Sequence, residues 1–258
     1  KTAAQHPTTR SFKNGHVHQR ILQHELCADR PCTISCHHQA IHDIHPIAAC
    51  HAHLEPTVAH NVCDQPRGRC LTIGSGAGND CFVARHETGD KGQVIGVDFS
   101  EAMIARARAN VAKLGFQNVE FRHGDIENLP VASNSVDVVV SNCVLNLVPN
   151  KANVFTEIYR VLKPGAHFSI SDIVIEGDLP PSLQEAAEMY AGCVSGAIQR
   201  QDYLQLIEKA GFKNVSLQKE KPILLPEELL QQYLSPADVE LAKEKMGDIV
   251  SITVYAEK

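Results

Sequence analysis

Tryptophan is absent from this chain of 258 residues, and aromatic residues make up only 5 % of it. Stacking of nucleic-acid bases on aromatic side chains is therefore not a function that the composition favours. The sequence also lacks a run of about 20 apolar residues, which is the length that a helix needs to cross a bilayer. The net charge of −6 excludes a broad basic surface of the kind that attracts nucleic acid or anionic lipid. We therefore expect neither a nucleic-acid nor a membrane partner.

The cysteine content argues against a disulfide-stabilised protein. The sequence has nine cysteines, an odd number, and no secretory signal pattern. Extracellular domains that depend on disulfides normally carry an even number of cysteines. We therefore expect a cytoplasmic protein whose thiols are reduced and available for chemistry. We also expect the protein to be a monomer.

Residues 1–69 differ in composition from the rest of the chain. They hold eleven of the fourteen histidines and five of the nine cysteines, and they show no sustained apolar period. An irregular, weakly structured N-terminal segment is the prediction. Segments rich in His and Cys can bind zinc or copper, but the spacing of Cys27, Cys32 and Cys36 matches no common structural zinc site. A metal-binding segment, an unstructured extension and a stretch translated out of its ancestral frame all remain open as interpretations.

From residue 70 to residue 258 the pattern becomes regular. Short apolar runs, predicted as strands, alternate with stretches that have helical caps and helical periodicity. This alternation predicts an α/β domain with a doubly wound, mostly parallel seven-stranded sheet covered by helices on both faces. The predicted strands are 70–73, 93–97, 119–122, 136–141, 167–174, 215–218 and 249–255, and the predicted helices are 101–114, 152–162 (stopped by Pro164 and Gly165) and 201–210.

Glycines and acids at the ends of the predicted strands indicate a nucleoside site. Gly74, Gly76 and Gly78 follow the first strand, where backbone without Cβ atoms lets a ligand approach the next helix. A dinucleotide fingerprint would require glycine at position 79, which is Asn79 here, so a dinucleotide-dependent oxidoreductase is disfavoured. Asp98 ends the second strand, where a carboxylate can accept both ribose hydroxyls. Asp125, which we expect at the end of the third strand, can accept the exocyclic amine of an adenine.

Four stretches resemble the class I S-adenosylmethionine-dependent methyltransferases and, more specifically, the arsenite methyltransferases. The resemblance is close over residues 70–212 and extends through the terminal strands. The stretches are GSGAGNDC at 74–81, SNCVLNLV at 141–148, LKPG at 162–165 and YAGCV at 190–194. Cys143 and Cys193 are the specific part, because the first and third stretches are common to many methyltransferases. Trivalent arsenic is thiophilic, so thiolates are its natural ligands.

The resemblance implies a cofactor, a substrate and a set of site residues. The cofactor is S-adenosylmethionine, and the substrate is arsenite or monomethylarsonous acid. Cys143 and Cys193 are the implied catalytic arsenic ligands, the second of them in an arsenic-binding insertion near 175–200, with Cys50 as a speculative third ligand. The arsenic lone pair attacks the sulfonium methyl group, and a thiol reductant such as thioredoxin or glutathione restores the site. The implied cofactor-binding residues are Gly74, Ser75, Gly76, Gly78, Asp98, Met103, Asp125, Ile126 and Asn142.

Two departures from the family pattern have consequences. Thr72 stands where the first strand of the family usually has an acid that organises the methionine part of the cofactor. The upstream cysteines lack the family's flanking sequence, so the third thiolate is not identified. A site made of Cys143 and Cys193 alone matches the two exchangeable positions of monomethylarsonous acid better than the three of arsenite. The alternatives are a quinone- or sterol-type carbon methyltransferase and a non-enzymatic thiol- or metal-binding protein.

Overall fold

The computed structural model describes residues 68–181, 183–184, 187, 194, 196–225, 227–236, 239–240 and 248–258. Its helices and strands alternate along the chain, as the sequence predicts. In chain order they are β1 (Arg69–Ile73), α1 (Asn79–Thr88), β2 (Gln93–Asp98), α2 (Glu101–Leu114), β3 (Val119–His123), β4 (Val136–Asn142), a 3₁₀ turn (Leu145–Leu147), α3 (Lys151–Val161), β5 (Leu162–Ile175), α4 (Arg200–Lys209), β6 (Lys213–Pro222), α5 (Glu227–Tyr233) and β7 (Ile249–Glu257).

The strands form one seven-stranded sheet in the order β3-β2-β1-β4-β5-β7-β6. β7 pairs antiparallel with both of its neighbours, and the pairs from β3 to β5 are parallel. This confirms the predicted mostly parallel α/β sheet. The strand order reverses direction between β1 and β4, and in open α/β sheets a ligand crevice forms outside the carboxyl ends of the strands at such a point.

Local sequence explains the helix that follows β2. Ser100 caps α2, because its hydroxyl accepts a hydrogen bond from the Met103 amide at 3.4 Å. Gly115 ends the same helix in the left-handed conformation, with a φ of 69°. The predicted bounds of this helix, 101–114, are confirmed. α3 begins in the same way at Asn150, whose side chain accepts from the Asn153 amide at 3.2 Å.

The prediction for the junction between α3 and β5 was wrong. Pro164 and Gly165 do not stop the helix, which ends at Val161, and β5 already begins at Leu162. Leu162 is extended because it pairs with Val136 of β4, a contact distant in sequence. β1 likewise begins at Arg69, one residue before the predicted domain start, because Arg69 pairs with Gln93.

The sheet lies between two layers of helices, and its central strands are buried on both faces. β4 contributes five buried residues out of seven, as its nearly continuous apolar sequence predicts. A second, smaller cluster of buried side chains lies at the carboxyl end of β5 and includes Ile173, Leu183, Ala187, Val194, Leu225, Leu230, Leu234, Val239 and Ile249. None of the helices in the described parts of the chain is both long enough and apolar enough to span a membrane.

Candidate active site

The loop between β1 and α1 needs its three glycines for different reasons. Gly74, Gly76 and Gly78 all have positive φ, at 67°, 52° and 100°. A Cβ atom on Gly74 would overlap the side chain of Val144, which lies in the loop after β4, and one on Gly78 would lie 2.7 Å from the ring of Phe82. A Cβ atom on Gly76 would meet nothing within 4 Å. Protein side chains therefore pack closely against the loop at Gly74 and Gly78, whereas the space beside Gly76 is open.

Asp98 joins this loop to the second helix. Its side chain is 1 % exposed, and one carboxylate oxygen accepts from the Gly76 amide at 2.8 Å. The other oxygen accepts from the Ser100 amide at 2.9 Å. The oxygen that accepts from Gly76 thus lies beside the open space at that residue. The predicted juxtaposition of the glycine loop with Asp98 is thus present.

Two further observations in the loop fit the cofactor that the sequence implies. Ser75 is buried, and its hydroxyl has no hydrogen-bond partner among the described residues. A buried polar group without a partner is costly, and a bound ligand can supply that partner. The open space at Gly76 is the place where backbone can approach a ligand closely. Both features favour a bound molecule with a polar end at this loop.

Thr72 and Cys81 lie beneath the glycine loop. Both are buried, and burial raises the pKa of the Cys81 thiol to about 12, against a smaller lowering by the hydrogen bond with Thr72. Cys81 therefore stays protonated and is not a thiolate ligand. Thr72, at the position where the resemblance implies an acid, has no access to water.

The end of β3 differs from the prediction. The strand ends at His123, and Asp125 lies in the following exposed turn, where its carboxylate accepts from the Glu127 amide at 2.9 Å. The amide of Gly124 donates to the Asp98 carbonyl at 3.0 Å, so the turn stays next to the end of β2. The side chain of Ile126 is buried in the main core.

Phe99 was not predicted from the sequence. It directly follows Asp98, and 60 % of its surface is exposed. Its carbonyl accepts a hydrogen bond from His123 Nε2 at 2.8 Å, which ties the residue to the end of β3. A large apolar side chain exposed at a ligand crevice is a candidate surface for a flat ring. The available signal was an aromatic residue just past a buried strand, outside any helical period. Met103, one turn into α2, is half-buried.

Cys143 follows β4 at the same edge of the sheet. It has a φ of 55°, and its amide donates to the Ser171 carbonyl of β5 at 2.8 Å. A left-handed conformation is uncommon outside glycine and is often found at functional sites. Of the cysteines that the structure describes, Cys70 and Cys81 are buried, and Cys143 is partly exposed. Asn142, the last residue of β4, is half-buried beside it.

Cys193 and Cys50 lie outside the described residues. Val194, which follows Cys193 in the sequence, is 1 % exposed and belongs to the same apolar cluster against which Cys143 packs. Residues 1–67, with their histidines and cysteines, also lie outside the described part. Among the side chains that are described, no group of three or more His, Cys, Asp or Glu residues is arranged to hold a metal ion.

A buried polar cluster beside Cys143 was also not predicted. Asp172 of β5 has no exposed surface, and burial raises the pKa of its carboxyl group to about 7. Its carboxylate accepts from the hydroxyl of buried Tyr203 at 3.4 Å. Lys151 at the start of α3 provides the nearby positive charge, and burial lowers the pKa of its amine. The signal in the sequence was an acid inside the apolar run of β5, where water cannot solvate it.

Comparison with known proteins agrees with this arrangement. A family model described as a methyltransferase domain matches residues 64–211. An arsenite methyltransferase of Halobacterium salinarum is 43 % identical over 194 residues, which are 75 % of this chain and 47 % of that protein. An arsenite methyltransferase of Aquipseudomonas alcaligenes is 38 % identical over 174 residues, 65 % of this chain and 50 % of that protein.

A solved structure is similar over most of the chain. It is an arsenic(III) S-adenosylmethionine methyltransferase from Chlamydomonas reinhardtii, with a TM-score of 0.60 and 29 % identity. The similarity covers 78 % of this chain and 73 % of that one. This chain spans about half the length of the curated relatives that it matches.

Proposed function

Because this chain belongs to the methyltransferase-domain family, we propose that it transfers a methyl group from S-adenosylmethionine to trivalent arsenic bound by cysteine thiolates. The observation that carries the proposal is the position of Cys143. It is the partly exposed cysteine among the described ones, and it lies at the sheet edge where the glycine loop also lies. Its neighbour Val144 is in contact range of Gly74, so the thiol loop and the glycine loop meet between β1 and β4.

The residues around the glycine loop would hold the cofactor. Asp98 would accept the ribose hydroxyls, and Phe99 would pack against the adenine ring with Met103 nearby. Asp125 and the backbone of Ile126 line the same edge, where they would contact the adenine. The buried Ser75 hydroxyl would donate to a polar group of the cofactor's methionine end. When bound, S-adenosylmethionine supplies an electrophilic methyl group on a sulfonium centre.

Cys143 would supply a soft ligand for arsenic. Thiolates bind such soft centres strongly, and a partly exposed thiol can reach a substrate that the two buried thiols cannot. Cys193 would be the second ligand, which the packing of Val194 and Cys143 on one apolar cluster supports. With only these two thiolates, monomethylarsonous acid would be a better substrate than arsenite. With Cys50 as a third ligand, arsenite would also be a good substrate. A cytoplasmic thiol reductant, thioredoxin or glutathione, would keep these thiols reduced.

Replacing Cys143 with alanine tests this function. The expected result is loss of the S-adenosylhomocysteine that wild-type protein forms when trivalent arsenic is added, while binding of S-adenosylmethionine in calorimetry is unchanged. Cys70→Ala is the matched control, because it also removes one sulfur atom. Cys70 is buried near the amino end of β1, whereas Cys143 lies at the edge formed by the carboxyl ends of the strands. That control should keep the arsenic-dependent product.

Two outcomes would contradict the proposal. One is arsenic-dependent product formation that survives in Cys143→Ala. The other is a wild-type protein that ignores trivalent arsenic and methylates a quinol or a sterol, which would make it a carbon methyltransferase. A protein that binds zinc or arsenic tightly through residues 1–69 alone and forms no S-adenosylhomocysteine would instead be a thiol-rich binding protein.

A further inference from the structure

The loop that carries Cys143 is attached to β5 at three successive residues. The Cys143 amide donates to the Ser171 carbonyl at 2.8 Å. The Asn146 amide donates to the carboxylate of Asp172, and the Asn146 side chain donates to the Ile173 carbonyl at 2.7 Å. Two of these attachments use backbone acceptors that any sequence would provide. The third needs the side chain of Asp172.

Asp172 receives donors from its own strand, from α4 and from the loop that carries Cys143. Its own neighbour Ile173 donates a backbone amide at 3.0 Å, and Tyr203 on α4 donates its hydroxyl at 3.4 Å. Asn146 donates from the loop, and Lys151, the first residue of α3, contributes its positive charge. Asn146 lies in the 3₁₀ turn, and Lys151 is the first residue of the helix that follows it. The carboxylate therefore holds the loop at Asn146, and the charge of Lys151 lies where the segment enters α3.

A purely structural role would not require a charge at this position. Burying a carboxylate costs free energy unless several donors compensate it, and an apolar residue of similar volume usually packs equally well there. The residues that Asp172 holds are those that follow Cys143, whose φ of 55° persists only if its surroundings constrain it. Tyr203 completes the arrangement: burial and the neighbouring Asp172 carboxylate raise the pKa of its hydroxyl, and Cys143 contributes a smaller increase.

The same loop also touches the segment that follows Cys193. A Cβ atom on Gly196 would overlap the carbonyl oxygen of Asn146, so the two backbones are in direct contact at this point. Asn146 is therefore the residue at which the Cys143 loop meets the chain after Cys193, and Asp172 holds its amide. A ligand that needs two thiolates at a set separation depends on this contact.

We propose that Asp172 is a positioning residue for the thiol site. By holding Asn146 it keeps Cys143 in its left-handed conformation and in register with the segment after Cys193. The inference rests on the proposed role of Cys143 as an arsenic ligand. Among the described residues Asp172 contacts neither the cofactor loop nor the thiol, so we expect it to affect the binding of arsenical and not the binding of S-adenosylmethionine.

Asp172→Asn tests the inference. The amide is nearly the same size as the carboxylate, but its NH₂ group cannot accept from the Asn146 amide or from Tyr203. The probe is phenylarsine oxide, a trivalent arsenical with two exchangeable positions, and its affinity is measured by thiol titration and by the sulfur–arsenic absorption band. We expect its affinity to fall about tenfold to a hundredfold, as the loss of a buried charged acceptor would cause. The KM for arsenical should rise in the same proportion, and calorimetry should give an unchanged affinity for S-adenosylmethionine.

Asp137→Asn is the matched control. Asp137 lies at the opposite end of β4 and has the same kinds of partner, a backbone amide of Arg69 at 2.7 Å and the amine of Lys163 at 2.7 Å. We expect this variant to lose stability without losing affinity for phenylarsine oxide. Tyr203→Phe removes one donor to Asp172, and it should weaken arsenical binding by roughly threefold.

The outcomes separate the two proposals. Wild-type affinity for phenylarsine oxide in Asp172→Asn overturns the positioning role and leaves the proposed function intact. If Asp172→Asn does not fold, Tyr203→Phe decides, and wild-type affinity in that variant overturns the role. Equal arsenical binding by Cys143→Ala and by wild type instead overturns the proposed function.

Discussion

Gly76→Ala tests the most specific feature of the candidate cofactor site. The residue has a φ of 52°, and an added methyl group would meet no protein atom within 4 Å. The substitution therefore causes no clash, and its cost to the fold is the strain of a left-handed alanine, about 1–2 kcal/mol. In a domain of this size that strain lowers the melting temperature by about 2–8 °C. The Gly76 amide keeps its hydrogen bond to Asp98, because the substitution changes only the side chain.

The effect on ligand binding is different, because the methyl group would enter the space that we assign to S-adenosylmethionine. We expect calorimetry to show affinity weaker by about tenfold or more, which corresponds to at least 1.4 kcal/mol. Gly115→Ala is the matched control: its φ is 69°, an added Cβ meets nothing within 4 Å, and it lies at the far end of α2. That variant should show a similar drop in melting temperature with an unchanged affinity. Equal affinities in the two variants would show that the space above Gly76 is not the cofactor site.

Two further predictions concern buried acids. Asp98→Asn should weaken binding of S-adenosylmethionine by about tenfold or more in calorimetry, because an amide NH₂ would face either the Gly76 or the Ser100 amide; unaltered affinity would remove Asp98 from the site. Burial raises the pKa of Asp172 from 3.8 to about 7, although Lys151 and the hydroxyl of Tyr203 oppose the shift. Between these two values the folded chain holds a proton that the unfolded chain has released, so its free energy of unfolding falls as the pH rises. Urea unfolding should therefore show wild type losing on the order of 3 kcal/mol relative to Asp172→Asn between about pH 5 and pH 8, and parallel pH profiles would contradict this.

Local signals predicted much of the fold. Ser100 and Gly115 mark the two ends of α2 in the sequence and in the structure, because capping depends on residues a few positions apart. The nearly continuous apolar sequence of β4 predicted a strand buried on both faces. The start of β5 was missed, because Leu162 becomes extended through pairing with Val136, which no local pattern announces.

Some residues of the candidate site could also be predicted from the local sequence, and others could not. The glycine spacing and Asp98 were readable, since a tight turn and a strand-end carboxylate depend on residue type and position along the chain. Phe99 and Asp172 were not identified, because their meaning comes from what surrounds them. Phe99 matters through its exposure at the sheet edge, and Asp172 through donors from β5, α4 and the Cys143 loop.

The amino-acid sequence by itself determined the order of the elements, the glycine loop and the chemical types of the ligands, because these depend on short-range backbone preferences and on intrinsic side-chain chemistry. Only the tertiary structure decided which of the described thiols is accessible and which acid holds it in position. Burial and hydrogen bonding between distant segments set both properties, and residues that are adjacent in space at β4, β5 and α4 are far apart along the chain.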